Sequence, residues 1–235
     1  MQEKMEEKER NERNLDIAVI ILIVALAIVV IYNQLQINSL SNLSPTGFAV
    51  ATDNAQTANG NTQKTGANVA NVIPTGVPKI YGKELGISYD DISPSDQRKA
   101  DVTIRKLGNF DDGIKLNQQE LQRYIGIASK ISCEYCCGAE SIIFSNGQAA
   151  CGCAHSYAMR GVAKYLIKNH PSEFTDDEIL EELGKWKTLF FPGQIQAKAQ
   201  ILSQKGIELN YINLASNKYR NIEKGATGGS MVGGC

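Results

Sequence analysis

Residues 133–155 read CEYCCGAESIIFSNGQAACGCAH and hold five of the chain's six cysteines and one of its two histidines. Cys133 and Cys136 form a C-x-x-C pair, Cys137-Gly138 follows at once, and Cys151-x-Cys153-x-His155 closes the stretch. Between the two groups, SIIF and QAAC flank Ser145-Asn146-Gly147. Asn-Gly between short apolar runs is a strong local hairpin signal. The spacing therefore predicts a small β-hairpin that brings Cys151 and Cys153 back beside Cys133 and Cys136. Cys137-Gly138 predicts a tight turn whose N–H groups face a thiolate.

After Cys153 the apolar positions Met159, Val162, Ala163, Leu166 and Ile167 recur at helical spacing. They predict an amphipathic helix starting near His155 or Ser156, with its positive end against the cysteines. Thiols at such an end lose their protons more readily, which favours metal binding or redox reactivity. Three chemistries fit these letters. In the first, a metal ion is held by ligands drawn from Cys133, Cys136, Cys137, Cys151, Cys153 and His155, with Cys235 as a further candidate. Zinc is the leading ion, and the surplus of sulfur, with Met159 and Met231, leaves Cu(I) or an iron–sulfur centre open. In the second, the C-x-x-C dithiol exchanges with another disulfide. In the third, the cysteines are structural staples, for which a domain able to build its own core has less need.

His155 reads as a ligand or as the hydrogen-bond partner of one, whereas His170, ahead of Pro171, reads as a helix-end residue. A Cys-His nucleophile lacks an identifiable orienting group, so no catalytic residue is assigned.

The rest of the chain sets the context. A formal net charge of -1 over 235 residues gives no basis for a nucleic-acid partner. Ile17 to Tyr32 is an uncharged apolar run without Gly or Pro, about 24 Å long as a helix, and reads as a single transmembrane anchor within residues 1–38. Lys4, Lys8, Arg10 and Arg13 precede it and no Lys or Arg follows until Lys64. That bias predicts a single-pass protein of the cell membrane, its N-terminus cytoplasmic and its C-terminal domain exocytoplasmic. The small-residue triplet Ala49-Val50-Ala51 lies too far beyond the run for a signal-peptidase site. Residues 39–78, rich in Ser, Thr, Asn, Gly and Ala, read as a flexible polar linker.

Residues 79–224 read as a mainly helical α+β domain carrying the cysteine module. Ser95 opens a predicted helix to Leu107, stopped by Gly108; Asn117 with Glu120 and Thr175 with Glu178 are capping pairs. Ile179, Leu183 and Trp186 share one helical stripe, ended by Phe191-Pro192-Gly193, and a further helix is expected from Ile195 to Lys205. Residues 225–235, GATGGSMVGGC, form a Gly-rich tail whose cysteine could reach the cluster.

PKIYGKELGISYDDISPSD, CEYCCGAESIIFSNGQAACGCAHSYAMRG, TDDEILEELGKWKTLFFPG and the MVGGC end together resemble a group of archaeal membrane-anchored, cysteine-rich proteins. In motif order the cysteine stretch is similar to treble-clef metal modules, to lipoproteins with a PCYCGC motif and to C-x-x-C haem-maturation thiol proteins. Cys151-Gly152-Cys153 is the fragment shared with PCYCGC. The archaeal group brings no established activity with it, and the similarity to haem-maturation thiol proteins implies the redox alternative; a protein partner that exchanges metal or electrons is expected of either chemistry.

Overall fold

Helix α4, Ala154–Asn169, runs through the core of the described residues, and eleven of its sixteen residues are buried. The computed structural model describes residues 72–224 and 231–234. In chain order the helices are α1 Gly82–Leu85, α2 Gln97–Gly113, α3 Gln118–Ala128, α4, α5 Asp176–Phe190, α6 Pro192–Gln204 and α7 Tyr211–Ala215. Short 3-10 turns cover Tyr89–Asp91 and Asn217–Tyr219.

The two capping pairs form as read. The Asn117 side chain accepts from Glu120 N–H while Glu120 accepts from Asn117 N–H, and Thr175 and Glu178 do the same at α5. Phe174 and Ile179 are both buried, bracketing the start of α5 as a hydrophobic staple. Pro192 then begins α6 directly after α5, in the first-turn position where its missing N–H costs nothing.

The helix expected from Ser95 to Leu107 is longer and starts differently. Asp96 is the N-cap, accepting from Lys99 N–H, and the helix continues through Gly108 to Gly113. Gly108 does not terminate it, because its role is tertiary: a Cβ there would meet the Tyr157 Cβ at 3.3 Å. Gly161 answers from α4, where any Cβ would overlap the Leu107 carbonyl oxygen. The two glycines let α2 and α4 pack backbone to backbone.

The α+β reading needs correction. The Asn-Gly turn exists, with Gly147 at φ 82°, Gly147 N–H donating to Phe144 O at 2.9 Å and Phe144 N–H to Gln148 O at 2.8 Å. Only an isolated antiparallel bridge, Ile143 to Ala149, follows from it, and no strand is present among the described residues. The next ladder position is only half made: Ala150 N–H donates to Ile142 O at 3.1 Å, but Ile142 N–H donates to Ile131 O at 3.1 Å outside the turn. A two-sided ribbon this short gains too little from its own pairing to persist as a sheet. The predicted anchor at Ile17–Tyr32 lies outside the described residues, and no described helix is long and apolar enough to cross a membrane.

Trp186, Phe190 and Phe191 are fully buried core residues, with Trp186 Nε1 donating to Tyr81 Oη at 2.8 Å. His170 caps the end of α4, its N–H donating to Leu166 O at 3.0 Å.

Candidate metal and thiol centre

Two segments supply the sulfurs. The first is the turn at 133–138, where Cys136 N–H and Cys137 N–H donate to Cys133 O at 3.3 and 3.2 Å and Gly138 takes φ 71°. Those N–H groups close the turn on a carbonyl, so they do not face a thiolate as expected from the sequence. The second segment leads into α4, whose N-cap is Cys153; Ser156 N–H donates to Cys153 Sγ at 3.4 Å. A thiol stands where Ser, Thr, Asn or Asp more often accepts the first free N–H of a helix.

The turn brings these segments together. The ligand atoms of Cys133, Cys137, Cys151 and Cys153 all lie within 4.8 Å of one another. Cys136, Cys153 and His155 form a second such group, sharing Cys153 with the first. Cys137 and Cys151 are joined as a disulfide, Cys136 is also disulfide-bonded, and Cys133 and Cys153 are thiols with their sulfurs 3.2 Å apart. Cys235 lies outside the described residues. The four-sulfur set fits a tetrahedral thiolate site in size: a zinc–sulfur distance of about 2.3 Å implies sulfur–sulfur edges of about 3.8 Å. Two-electron reduction of the Cys137–Cys151 bond is required before all four sulfurs can serve as ligands.

Cys133 and Cys153 share one proton unequally. The hydrogen bond from the Cys133 thiol, against the opposing effect of burial and aided by His155 and Ser156, holds the Cys153 thiol far below the usual thiol range, at about 4. The same hydrogen bond, then burial, pushes the Cys133 thiol up. Cys153 is therefore the thiolate and Cys133 its donor. Because the Cys153 proton is lost at low pH, its alkylation by iodoacetamide should change little between about pH 6 and 8, whereas an ordinary thiol would accelerate about seventyfold. Mass-spectrometric rates for the two thiols, measured across that range, check this; a Cys153 rate rising in step with an ordinary thiol would contradict the assignment.

His155 is fully buried, with its ring against Phe190 at 4.8 Å and Phe191 at 5.0 Å. Its Nε2 lies 2.8 Å from Val232 O, which can only accept, so Nε2 carries a proton and donates. One ring nitrogen lies within 4.8 Å of the Cys136 and Cys153 sulfurs.

Charged residues that the sequence reading passed over hold both segments. Glu134, beside Cys133, is buried among Lys187 at 3.0 Å, Arg220 at 3.1 Å and Lys198 at 3.9 Å, and Ser132 Oγ donates to it at 3.2 Å. Burial works against its ionisation, but Lys187 and Lys198 prevail and keep its carboxyl below the usual range. Arg220 also donates to Gly138 O at 3.0 Å, and Tyr135 Oη donates to Glu223 at 2.6 Å. On the other segment, Arg160 of α4 donates to Cys151 O at 2.8 Å and to Ile142 O at 3.2 Å, with its Nε 2.6 Å from Asp111. A signal was available in the sequence: Lys187 falls between Leu183 and Phe190, and Lys198 between Ile195 and Leu202, at the spacing of core positions.

The fold and site together define an α-helical protein with a charge-braced centre of four cysteine sulfurs, open to solvent at Cys137. No protein-family model matches the chain, and no curated protein or solved structure is significantly similar to it.

Proposed function

We propose that the protein binds one zinc-class metal ion through Cys133, Cys137, Cys151 and Cys153 in their reduced state. The observation that carries this is the convergence of the four ligand atoms within 4.8 Å from two separately braced segments. A bound ion of this class supplies a cross-link between those segments and a soft Lewis-acid centre. The chain's own part is to keep the sulfurs together and to stabilise their charge. Cys153 is already the thiolate of its pair, and Ser156 N–H at the start of α4 donates to it. Lys187, fully buried, opposes in small part the rise that Cys153 and burial impose on the Cys133 thiol. A structural role makes metal and folding inseparable, with a binding free energy of about 10–16 kcal/mol for sites of this class.

The test is a zinc titration of chain reduced and stripped of metal under anaerobic conditions, read with a competing chromophoric chelator and a thiol count. One ion per chain with four thiols protected supports the reading. A fully reduced chain that binds no ion rejects it. Cys153→Ser should lower the stoichiometry below half an ion per chain, while Met159→Leu, outside the ligand set, should leave it unchanged.

A second reading has its own support: the Cys133–Cys153 thiol pair stands beside the Cys137–Cys151 disulfide, the juxtaposition that thiol–disulfide exchange requires. In that reading the Cys153 thiolate attacks a disulfide of a partner and Cys133 resolves the mixed disulfide, so two thiols are oxidised as one partner disulfide is reduced. Stoichiometric reduction of a disulfide substrate by metal-free chain, with Cys133 and Cys153 becoming oxidised, favours it. A potential below about -300 mV for both pairs would make them structural bonds.

A further inference from the structure

The four sulfurs occupy unequal positions. Cys137 is exposed, Cys153 is half-buried, and Cys133 and Cys151 are buried. The Cys137–Cys151 disulfide thus joins a surface residue to an interior one, and its outer end reaches the inner pair, with Cys137 Sγ 3.5 Å from Cys133 O. That inner pair is a dithiol, its sulfurs 3.2 Å apart, and every sulfur of the set lies within 4.8 Å of every other. A disulfide kept only as a staple has no need of two thiols at that range, where exchange with it is open to both.

Reduction of a partner disulfide by Cys153 and Cys133 leaves those two joined, and a second turnover then needs two electrons from outside. Cys133 has no exposed surface to offer an incoming thiol. Cys137 has, and Gly138 beside it has open space where a side chain would stand.

We propose that the Cys137–Cys151 pair is the electron entrance of the centre: a dithiol donor reduces it at Cys137, and internal exchange passes both electrons to Cys133 and Cys153. This rests on the exchange reading above and supplies the step that returns the centre to its starting state. The donor's thiolate attacks Cys137 Sγ, the Cys137–Cys151 bond breaks, and Cys151 leaves as a thiolate. The donor's second thiolate attacks its own sulfur in the mixed disulfide and frees Cys137, so the donor departs as a disulfide. Cys151 then attacks Cys153 Sγ and releases Cys133, which takes one of the donor's two protons; the other goes to solvent. Cys137 finally attacks Cys151 Sγ and expels Cys153, whose sulfur is received by Ser156 N–H at the start of α4. The outer disulfide is re-formed, the inner disulfide has become a dithiol, and the donor carries the matching oxidation.

The order of labelling tests this. Full-length, metal-free chain is oxidised with diamide, mixed with one equivalent of dithiothreitol and quenched at intervals in denaturant with excess N-ethylmaleimide. Trypsin, cutting after Lys130 and Arg160, puts all four sulfurs in peptide 131–160, whose fragment ions locate each maleimide. The expected result is label first on Cys137 and Cys151, then on Cys133 and Cys153 with no further donor consumed. In Cys137→Ser, labelling of Cys133 and Cys153 should slow by at least about tenfold. The wild-type order is read without any substitution, so it stands even if that variant folds poorly. The relay is overturned if the first wild-type label falls on Cys133 or Cys153, or if it stays on Cys137 and Cys151. The exchange reading is checked apart from it. Reduced chain that leaves oxidised glutathione unreduced sinks that reading and the relay with it, whereas chain that reduces glutathione but labels in the wrong order loses the relay alone.

Discussion

Glu134→Ala is expected to lower the unfolding free energy by about 3–5 kcal/mol, the effect of removing one partner from a buried ion pair. Lys187 and Lys198 have no solvent-exposed surface, and Glu134 is the carboxylate that both approach, at 3.0 and 3.9 Å. Lys187 Nζ retains Ala215 O at 2.8 Å as an acceptor, and Lys198 retains Glu223 at 3.9 Å. Neither replaces the lost charge next to Cys133. Burial already lowers the proton affinity of Lys187, opposed by Glu134, so without Glu134 the ammonium should deprotonate more readily. The sign of the pH effect follows from Glu134 itself. Its folded pKa is depressed, so its stabilisation is complete above the unfolded carboxylate value of about 4.3 and is lost as pH falls through the folded value. Urea melts should show the wild type losing this contribution below about pH 4 and Glu134→Ala lacking that part of the acid limb. A double variant, Glu134→Leu with Lys187→Met, should recover much of the loss, since two apolar groups strand no charge. An unchanged urea midpoint in Glu134→Ala would show that water or Glu223 compensates the lysines.

Legibility in the sequence follows the range of the interaction. Thr175 with Glu178 and Asn117 with Glu120 are reciprocal contacts over three residues, so their chemistry is complete within the segment that encodes them. The convergence of Cys133 with Cys151 and Cys153 was readable for a related reason, because Asn146-Gly147 makes the reversal local. Its failure to become a ribbon was not readable, since Ile131, which takes the Ile142 N–H, lies ten residues before the turn's own partner strand would begin. Gly108 shows the limit from the other side. A glycine after an apolar run serves equally well as a helix stop or as a notch for another helix, and the choice is made by Tyr157, 49 positions away in the sequence. Arg160 escaped notice in the same way: it sits in register with Ser156 and Ala163 on a buried face, and its acceptors, Asp111, Ile142 and Cys151, belong to three other parts of the chain.

Arg160→Met should therefore have two separable effects, a stability loss of about 3 kcal/mol and a loosened thiol centre. The side chain is fully buried and joins Asp111 Oδ2 at 2.6 Å while Nη1 donates to the carbonyls of Ile142 and Cys151. Removing it does not leave Asp111 without a cation, because Lys164 lies 2.6 Å from Oδ1, and this places the cost at the low end of the range for a broken buried pair. Ile142 O keeps the Ala150 N–H at 3.1 Å, but Cys151 O has no such substitute, and a buried acceptor left unmade costs about 1–3 kcal/mol. Cys151 lies two residues before the Cys153 N-cap, so release of its carbonyl frees the backbone that sets the positions of two of the four sulfurs. Asp111→Asn combined with Arg160→Met discriminates the two contributions. If charge imbalance dominates, the double variant should recover most of the stability and the metal-binding constant of reduced chain together. If the carbonyl contacts position the sulfurs, it should recover stability in part while zinc affinity stays about 10–100-fold below wild type, the loss typical when a residue that orients ligands is removed. The second outcome is expected, because Met can fill the volume over Tyr157, where the guanidinium now stacks at 4.4 Å, but has no donor for Cys151 O.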